Sequence, residues 1–371
     1  MNAVKLLEWA KQFEEKSISG RYVTHQHIEN YLEKNNIAYC VSAYSVDKRP
    51  IYTIKIGEGT RKVLIWSQMH GNESTTTKGL VDFLNYLHSD EAVAQQLLQT
   101  FQFVILPILN PDGAFYYTRV NANEVDLNRD AFRQTQLEMR YLQQLIAQFE
   151  PDLCFNLHDQ RTIFSAGNVS KPATLSLLSP AYNQAREIDD VRKKVMRTAV
   201  AIADVLDEII PGQLGRYDDA FNMNCIGDYL TANKVPTLLI EAGHFPDDYA
   251  REQTRNLVFV ALVSALLEMK NQTEMTENIV KKYEQIPENQ KLFNDVLVKN
   301  VIVENKELSQ IGFQYQEKLT NGKIEFLLQF DEDKVSEGKF GHVELDLEYR
   351  KFTNKNELIK AVSNQISGVK L

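Results

Sequence analysis

The sequence predicts an α/β protein: a doubly wound, mostly parallel mixed sheet with helices on both faces, followed by a small β-rich C-terminal domain. Three observations carry this. Apolar runs near residues 63–66, 101–109, 152–157 and 236–242 are too hydrophobic to expose either face, as in central parallel strands. Stretches of helical periodicity separate them. Beyond Met269 the composition turns polar and then alternates with period two. A chain of 371 residues exceeds the roughly 250–300 at which one core stops growing, so two domains are expected. Their predicted bounds are 1–270 and 286–371, joined by a polar linker over 271–285.

Residues 1–36 carry two helical patterns, the second from His25 to Asn35, with His25 and His27 expected to face solvent. Strands are expected over Ala38–Tyr44 and Ile51–Ile56, then at Val63–Trp66. Ser74–His88 reads as a helix capped by Ser74 or Thr75, its N-terminus aimed at the loop before it. Phe101–Leu109 is a buried strand ending in the turn signal Asn110-Pro111-Asp112-Gly113. Phe132–Phe149 has helical periodicity, and Asp152–Leu157 is a short strand terminating in His158. A helix from about Ile188 to Ile209 opens on Asp189 and Asp190, whose carboxylates suit a helix N-terminus. Pro236–Ala242 is the last buried strand and Asp247–Met269 the helix that packs back on it. In the C-terminal domain, Asn321-Gly322 signals a hairpin turn, and a short helix closes the chain near Asn356–Gln365.

With 25% charged and 43% hydrophobic residues, the composition is that of an ordinary globular protein. A net charge of -9 argues against a nucleic-acid partner. No apolar run approaches the roughly 20 residues that span a bilayer, so no membrane partner is expected. The N-terminal segment is amphipathic and lacks a signal-peptide core, so a cytoplasmic protein is expected. Cys40, Cys154 and Cys225 lie far apart in or near apolar stretches and read as buried free thiols.

Strands of a doubly wound sheet present function at their carboxyl ends, and these strands end in polar groups there. His70 and Glu73 follow the Val63–Trp66 strand in HGNE, an imidazole and a carboxylate three residues apart that can converge on one ion. Alone, the tetrapeptide reads more simply as a strand-to-helix loop with a capping Glu. His158 and Glu241 end two further strands. Two His and one carboxylate leave a fourth zinc position open, the arrangement of a catalytic site. Glu241 is either a salt-bridged rim residue or the base that takes a proton from zinc-bound water and passes it to a leaving nitrogen. Thr118–Asp130 offers the cations Arg119 and Arg129 and the amides Asn121, Asn123 and Asn128, either to a ligand carboxylate or to one another in a solvated loop.

HGNE at 70–73, NPDG at 110–113, TRVNANEVDLNRD at 118–130, NLHD at 156–159 and LIEAG at 239–243 resemble, in this order, the zinc carboxypeptidase (M14) family over roughly residues 35–270. The resemblance implies one zinc ion per chain held by His70, Glu73 and His158, with Glu241 as general base. It implies that Asn128 and Arg129 hold the substrate's terminal carboxylate and that Arg119 polarises the scissile carbonyl. The implied reaction is hydrolysis of an amide next to a free carboxylate. The His158-Asp159 pair and the short interval from Glu73 are similar to the aspartoacylase and succinylglutamate desuccinylase branch, which makes N-acyl amino acids the alternative to peptides as substrates. A third possibility is a silent binding protein of the same fold. For the family's substrate-binding tyrosine, Tyr217 is preferred to Tyr229. Asp218, Asp219 and Asp228 either select a basic side chain or serve as caps and surface charges. His244 is read as a neighbour of the site and not a ligand, and His342 as a packed or surface residue.

Overall fold

The computed structural model describes residues 2–271, 278–331 and 338–366. The first unit contains helices α1 (Ala3–Gln12) and α2 (His25–Lys34), strands β1 (Cys40–Tyr44), β2 (Pro50–Ile56) and β3 (Arg61–Trp66), and helices α3 (Thr75–Leu87) and α4 (Ala92–Thr100). It continues with β4 (Phe101–Leu106), α5 (Pro111–Tyr116), α6 (Leu137–Phe149), β5 (Leu153–Asp159), β6 (Ser165–Ala166) and β7 (Leu175–Leu178). Helix α7 (Asp190–Ile209), β8 (Leu214–Arg216), α8 (Ile226–Ala232), β9 (Thr237–Ala242) and α9 (Glu252–Asn271) complete it. Next come α10 (Ile279–Glu284), β10 (Asn289–Gln290), β11 (Phe293–Val303), β12 (Lys306–Thr320), β13 (Lys323–Phe330), β14 (Phe340–Phe352) and α11 (Lys355–Gln365).

The main sheet has the order β1-β2-β4-β3-β5-β9-β7-β8. Its centre, β4-β3-β5-β9, is all parallel, while β1, β2 and β7 add antiparallel pairings toward the edges. Alternate residues of β3 belong to different cores: Val63 and Ile65 pack with helices α1, α3, α7 and α9, and Leu64 and Trp66 with α6 and α8. Helices therefore cover both faces. Each fully buried aliphatic side chain there contributes about 1.5–3 kcal/mol. Helix α9 is buried nearly all round, and its Arg255 is neutralised by Asp82 of α3 through a two-pronged ion pair. Among the described residues, no helix is long and apolar enough to cross a membrane.

Several element ends differ from the sequence reading for local reasons. Strand β4 stops at Leu106 because Pro107 has no N–H to extend a ladder. Helix α6 starts at Leu137 and not Phe132, since the Asp130 carboxylate folds the preceding residues into a turn by accepting from Thr135 N and Gln136 N, each at 2.9 Å. Helix α9 starts at Glu252 because Asp248 accepts from Glu252 N and Gln253 N at 2.9 and 2.7 Å. His25 and His27 are half-buried and not solvent-facing; His27 Nδ1 accepts from Thr24 N at 3.1 Å and closes the start of α2. Of the three thiols, only Cys154 is buried; Cys225 is half-buried and Cys40 exposed.

The stretch read as a linker falls partly outside the described residues, at 272–277, and partly forms α10. Tyr283 of α10 is buried, its hydroxyl accepting from Ser179 N at 2.9 Å. Beyond it lies a second sheet, β13-β12-β11-β14, with α11 on one face packing Leu358 and Val362 against Val296, Val298 and Phe313. Asn321 and Gly322 both have positive φ, 49° and 75°, as a tight hairpin turn requires. This sheet is docked on the first unit: β10 pairs with β6, and Tyr249 stacks edge-on against Tyr315 and Phe326 at 5.1 and 5.6 Å.

Candidate active site

The loop after β3 is built by its neighbour after β4. Leu109 N donates to Ser67 O and Asn110 N to Gln68 O, so the two loops run together past the sheet edge. Asn110 caps α5 by accepting from Gly113 N at 2.9 Å and donates to Met69 O at 3.1 Å. A Cβ on Gly71 would lie 1.8 Å from the carbonyl carbon of Gly113, so only glycine permits this approach of HGNE to NPDG. A turn closed by Glu73 N to His70 O at 3.1 Å then brings both side chains to one point.

His158, at the end of β5, completes the cluster. His70 Nδ1 lies 2.8 Å from Glu73 Oε1, His158 Nδ1 lies 2.8 Å from Glu73 Oε2, and the two Nδ1 atoms are 3.1 Å apart. All three residues are buried. His70 Nε2 is 3.0 Å from Asp126 Oδ1; an ionised carboxylate only accepts, so the proton sits on Nε2 and the lone pair on Nδ1. Burial alone would raise the Glu73 and Asp126 carboxyls, but neighbouring imidazoles, joined at Asp126 by Arg119, hold both well below the usual carboxylate range.

Two imidazole nitrogens and a carboxylate crowded at this spacing are well placed to share a cation. Nitrogen and oxygen donors on tetrahedral zinc sit about 2.0–2.2 Å from the ion and hence roughly 3.3 Å from one another, close to the separations here. The residues fit a zinc ion with one position left open.

Around the cluster lies a cavity of about 370 Å³ that includes Arg119, Asn128, Arg129, Tyr217 and Glu241. Arg119 is braced by Asp126 Oδ2 at 3.0 Å and reaches Glu73 Oε1 at 3.3 Å, leaving its side chain 46% exposed. Asn128 Oδ1 accepts from Ile226 N at 3.0 Å, which fixes the amide and leaves Nδ2 to donate. Arg129 donates to Asn128 O and Cys225 Sγ, and no carboxylate among the described residues pairs with it.

Glu241, on β9, pairs in register with His158 and accepts no hydrogen bond from the described residues. Burial, then the charges of Glu73 and Asp159, push its carboxyl well above the usual range against the pull of Arg119. Tyr217 lines the cavity with its ring edge-on to Phe164 at 5.4 Å; burial, then Glu241 and Glu73, raise its hydroxyl. Tyr229 packs elsewhere, against the core under α6 and α8.

Other candidates have structural employment. Asn121 and Asn123 brace their own loop, both donating to Gln136 Oε1, and are not free for a ligand. Asp218 pairs with Arg186 at 2.8 Å and Asp219 with Arg192 at 2.6 Å, while Asp228, 6% exposed, lines the cavity and accepts from Asn222 N. His244 packs between Tyr249 and His342, away from the donor cluster.

Three features escaped the sequence reading. Asp126 orients His70, and its place in VDLNRD was the available signal. Helix α3 is not capped by Ser74, whose hydroxyl donates to Arg21 O, but by Asp159, which accepts from Thr75 N and Thr76 N at 2.9 and 3.2 Å. Glu317, from the C-terminal sheet, reaches Arg21 at 3.3 Å and the Tyr117 hydroxyl; nothing in its amphipathic strand marked it.

Fold and site together set a His-Glu-His cluster that could hold a metal ion at the carboxyl edge of a doubly wound sheet. Residues 25–158 match the zinc carboxypeptidase family, Peptidase_M14. The matched residues lie within the unit built on the eight-stranded sheet. The probable carboxypeptidase 2 of Trichophyton verrucosum is 28% identical over 195 residues, 50% of this chain and 34% of that protein. Carboxypeptidase 2 of Trichophyton rubrum is 32% identical over 115 residues, 30% of this chain and 21% of that one. The chain thus spans about a third or less of the curated relatives it matches. Among solved structures, a Burkholderia cenocepacia metallo-carboxypeptidase superposes with TM-score 0.55 at 19% identity, covering 68% of this chain and 70% of that chain. Carboxypeptidase A of Helicoverpa armigera gives 0.51 at 17%, covering 72% and 82%. These likenesses establish the fold.

Proposed function

We propose that the protein is a zinc-dependent hydrolase that cleaves an amide bond next to a free C-terminal carboxylate. The observation that carries this is the unpaired Glu241 carboxylate beside the His70–Glu73–His158 donor cluster, in one cavity with Arg129, which pairs with no carboxylate among the described residues. Zinc, which His70, Glu73 and His158 would hold, would supply a Lewis acid that acidifies water and polarises a carbonyl. Arg129 and the Asn128 amide donate to the substrate carboxylate, which sets the scissile bond at the cluster. Arg119 donates to the carbonyl oxygen as negative charge develops there. Glu241 accepts a proton from the attacking water and returns it to the leaving nitrogen, a role that contributes about 10²–10⁴-fold. Tyr217, on the cavity wall, contacts the bound residue.

In the same proposal, residues 1–270 form the catalytic unit, 286–371 the accessory domain, and the protein works in the cytoplasm. A deacylase on N-acyl amino acids would use the same residues and differ only in what lies on the N side of the bond. The test is hydrolysis by zinc-loaded protein of a free-acid peptide and its C-terminal amide. Cleavage of the free acid alone is expected; equal cleavage, or none, overturns the proposal.

A further inference from the structure

The donor cluster sits between two cavities. One holds Asn128 and Arg129; the other, of about 320 Å³, shares Glu73 and Arg119 with it and extends to the opposite side. If the substrate carboxylate lies against Arg129, the second cavity receives the group on the N side of the scissile bond. Its far wall comes from the C-terminal sheet, through Tyr315, Glu317 and Phe326. Glu317 and Phe326 are direct partners across β12 and β13, so their side chains stand together on one face of the hairpin.

This wall is fixed in place. Glu317 is tied to Arg21 and Tyr117, and Asp295 accepts from the Tyr249 hydroxyl at 3.0 Å and from Tyr315 N at 2.7 Å. Arg21 is 7% exposed, and a buried charge of this kind holds its partner firmly because separation would leave it uncompensated. The cavity is at the low end of the roughly 300–1,000 Å³ usual for ligand sites, with room for about one or two residues. Four arginines and four carboxylates line it, which favours a polar occupant over an aliphatic chain.

We infer that the C-terminal sheet is the specificity wall of the acyl-side subsite and restricts the enzyme to short, polar N-side groups: di- and tripeptides or small N-acyl amino acids, not the C-termini of folded proteins. The inference rests on the zinc-hydrolase reading above. It is tested with zinc-loaded full-length protein and substrates that share one C-terminal amino acid. Their N-side groups are acetyl, one residue, three residues, eight residues and a decanoyl chain.

The expected result is a kcat/KM at least tenfold lower for the eight-residue and decanoyl substrates than for the one-residue substrate. In Glu317→Ala and Phe326→Ala the ratio of long to short rises at least threefold. Phe326→Ala serves should the loss of Glu317 unfold the protein, and melting curves establish which variants are folded. Equal kcat/KM for long and short substrates in the wild type overturns this inference and leaves the hydrolase reading standing. So does length discrimination that a folded wall variant fails to change. No hydrolysis of any member overturns both.

Discussion

His158 and Glu241 stand directly opposite one another on the adjacent parallel strands β5 and β9, so their side chains leave the same face of the sheet one strand spacing apart, about 4.8 Å. A candidate metal donor and an unpaired acid are thereby held at fixed separation by ladder hydrogen bonds and not by loops. That rigidity is what a proton-transferring carboxylate needs.

Replacing Glu241 by Gln keeps the shape and removes the base. A loss of about 10²–10⁴-fold in kcat at unchanged zinc content is expected, read by steady-state kinetics and metal analysis. Because burial and the charges of Glu73 and Asp159 raise this carboxyl, wild-type activity should fall away on the acid side at a higher pH than an ordinary carboxylate would set. Asp159→Asn, removing one like charge, should move that limb to lower pH.

Asp126 fixes the tautomer of His70 through the 3.0 Å contact to Nε2. Asp126→Asn should weaken zinc binding by about 10–100-fold in a competition titration with a chelator, whereas Glu73→Gln should abolish retention of the ion. Unaltered affinity in Asp126→Asn would remove that residue from the account of the metal centre.

Arg129 donates to Asn128 O and Cys225 Sγ through Nη1 alone, which leaves its other donors and the Asn128 Nδ2 for a ligand. Hydrogen bonds to a charged group are worth about 1.5–3 kcal/mol, so Arg129→Ala should raise KM for free-acid substrates by about 10–100-fold. It should also erase the preference for a free acid over its amide.

His342 is stacked on Phe293 at 4.4 Å and bonded through Nε2 to Thr162 O at 2.8 Å, at the junction of the two sheets. Burial, only partly offset by the Thr162 bond, brings its pKa down to about 4. The unfolded chain, at the ordinary 6.5, binds a proton that the native state refuses, so stability is full above pH 6.5 and declines as pH falls from there toward about 4. Buried His244 adds in the same direction. Melting temperature should drop by several degrees between pH 7 and 5, and less steeply in His342→Gln.

Much of this architecture was legible because its strands are unambiguous. Val63–Trp66, Phe103–Leu106 and Leu238–Ile240 are buried on both faces, and such runs have few alternatives. The donor residues were legible because they end those strands. What escaped was short or distant. Strands β7 and β8 have four and three residues, too few to show a period, and were passed over. Glu317 occupies a polar slot in an alternating strand, where solvent is the ordinary destination; its partner Arg21 lies 296 positions away. Asp159 stood in view beside His158, but its work on a helix 84 residues earlier depends on the tertiary fold.

Asp159 faces two ways: its main-chain N–H donates to Glu73 Oε2 at 3.1 Å while its carboxylate receives the first amides of α3. Drawing Glu73 onto a cation would tighten the β5 terminus and, through it, the start of that helix. The Thr75 and Thr76 amides thus become reporters of metal loading, and their exchange with deuterated solvent should slow when zinc is added.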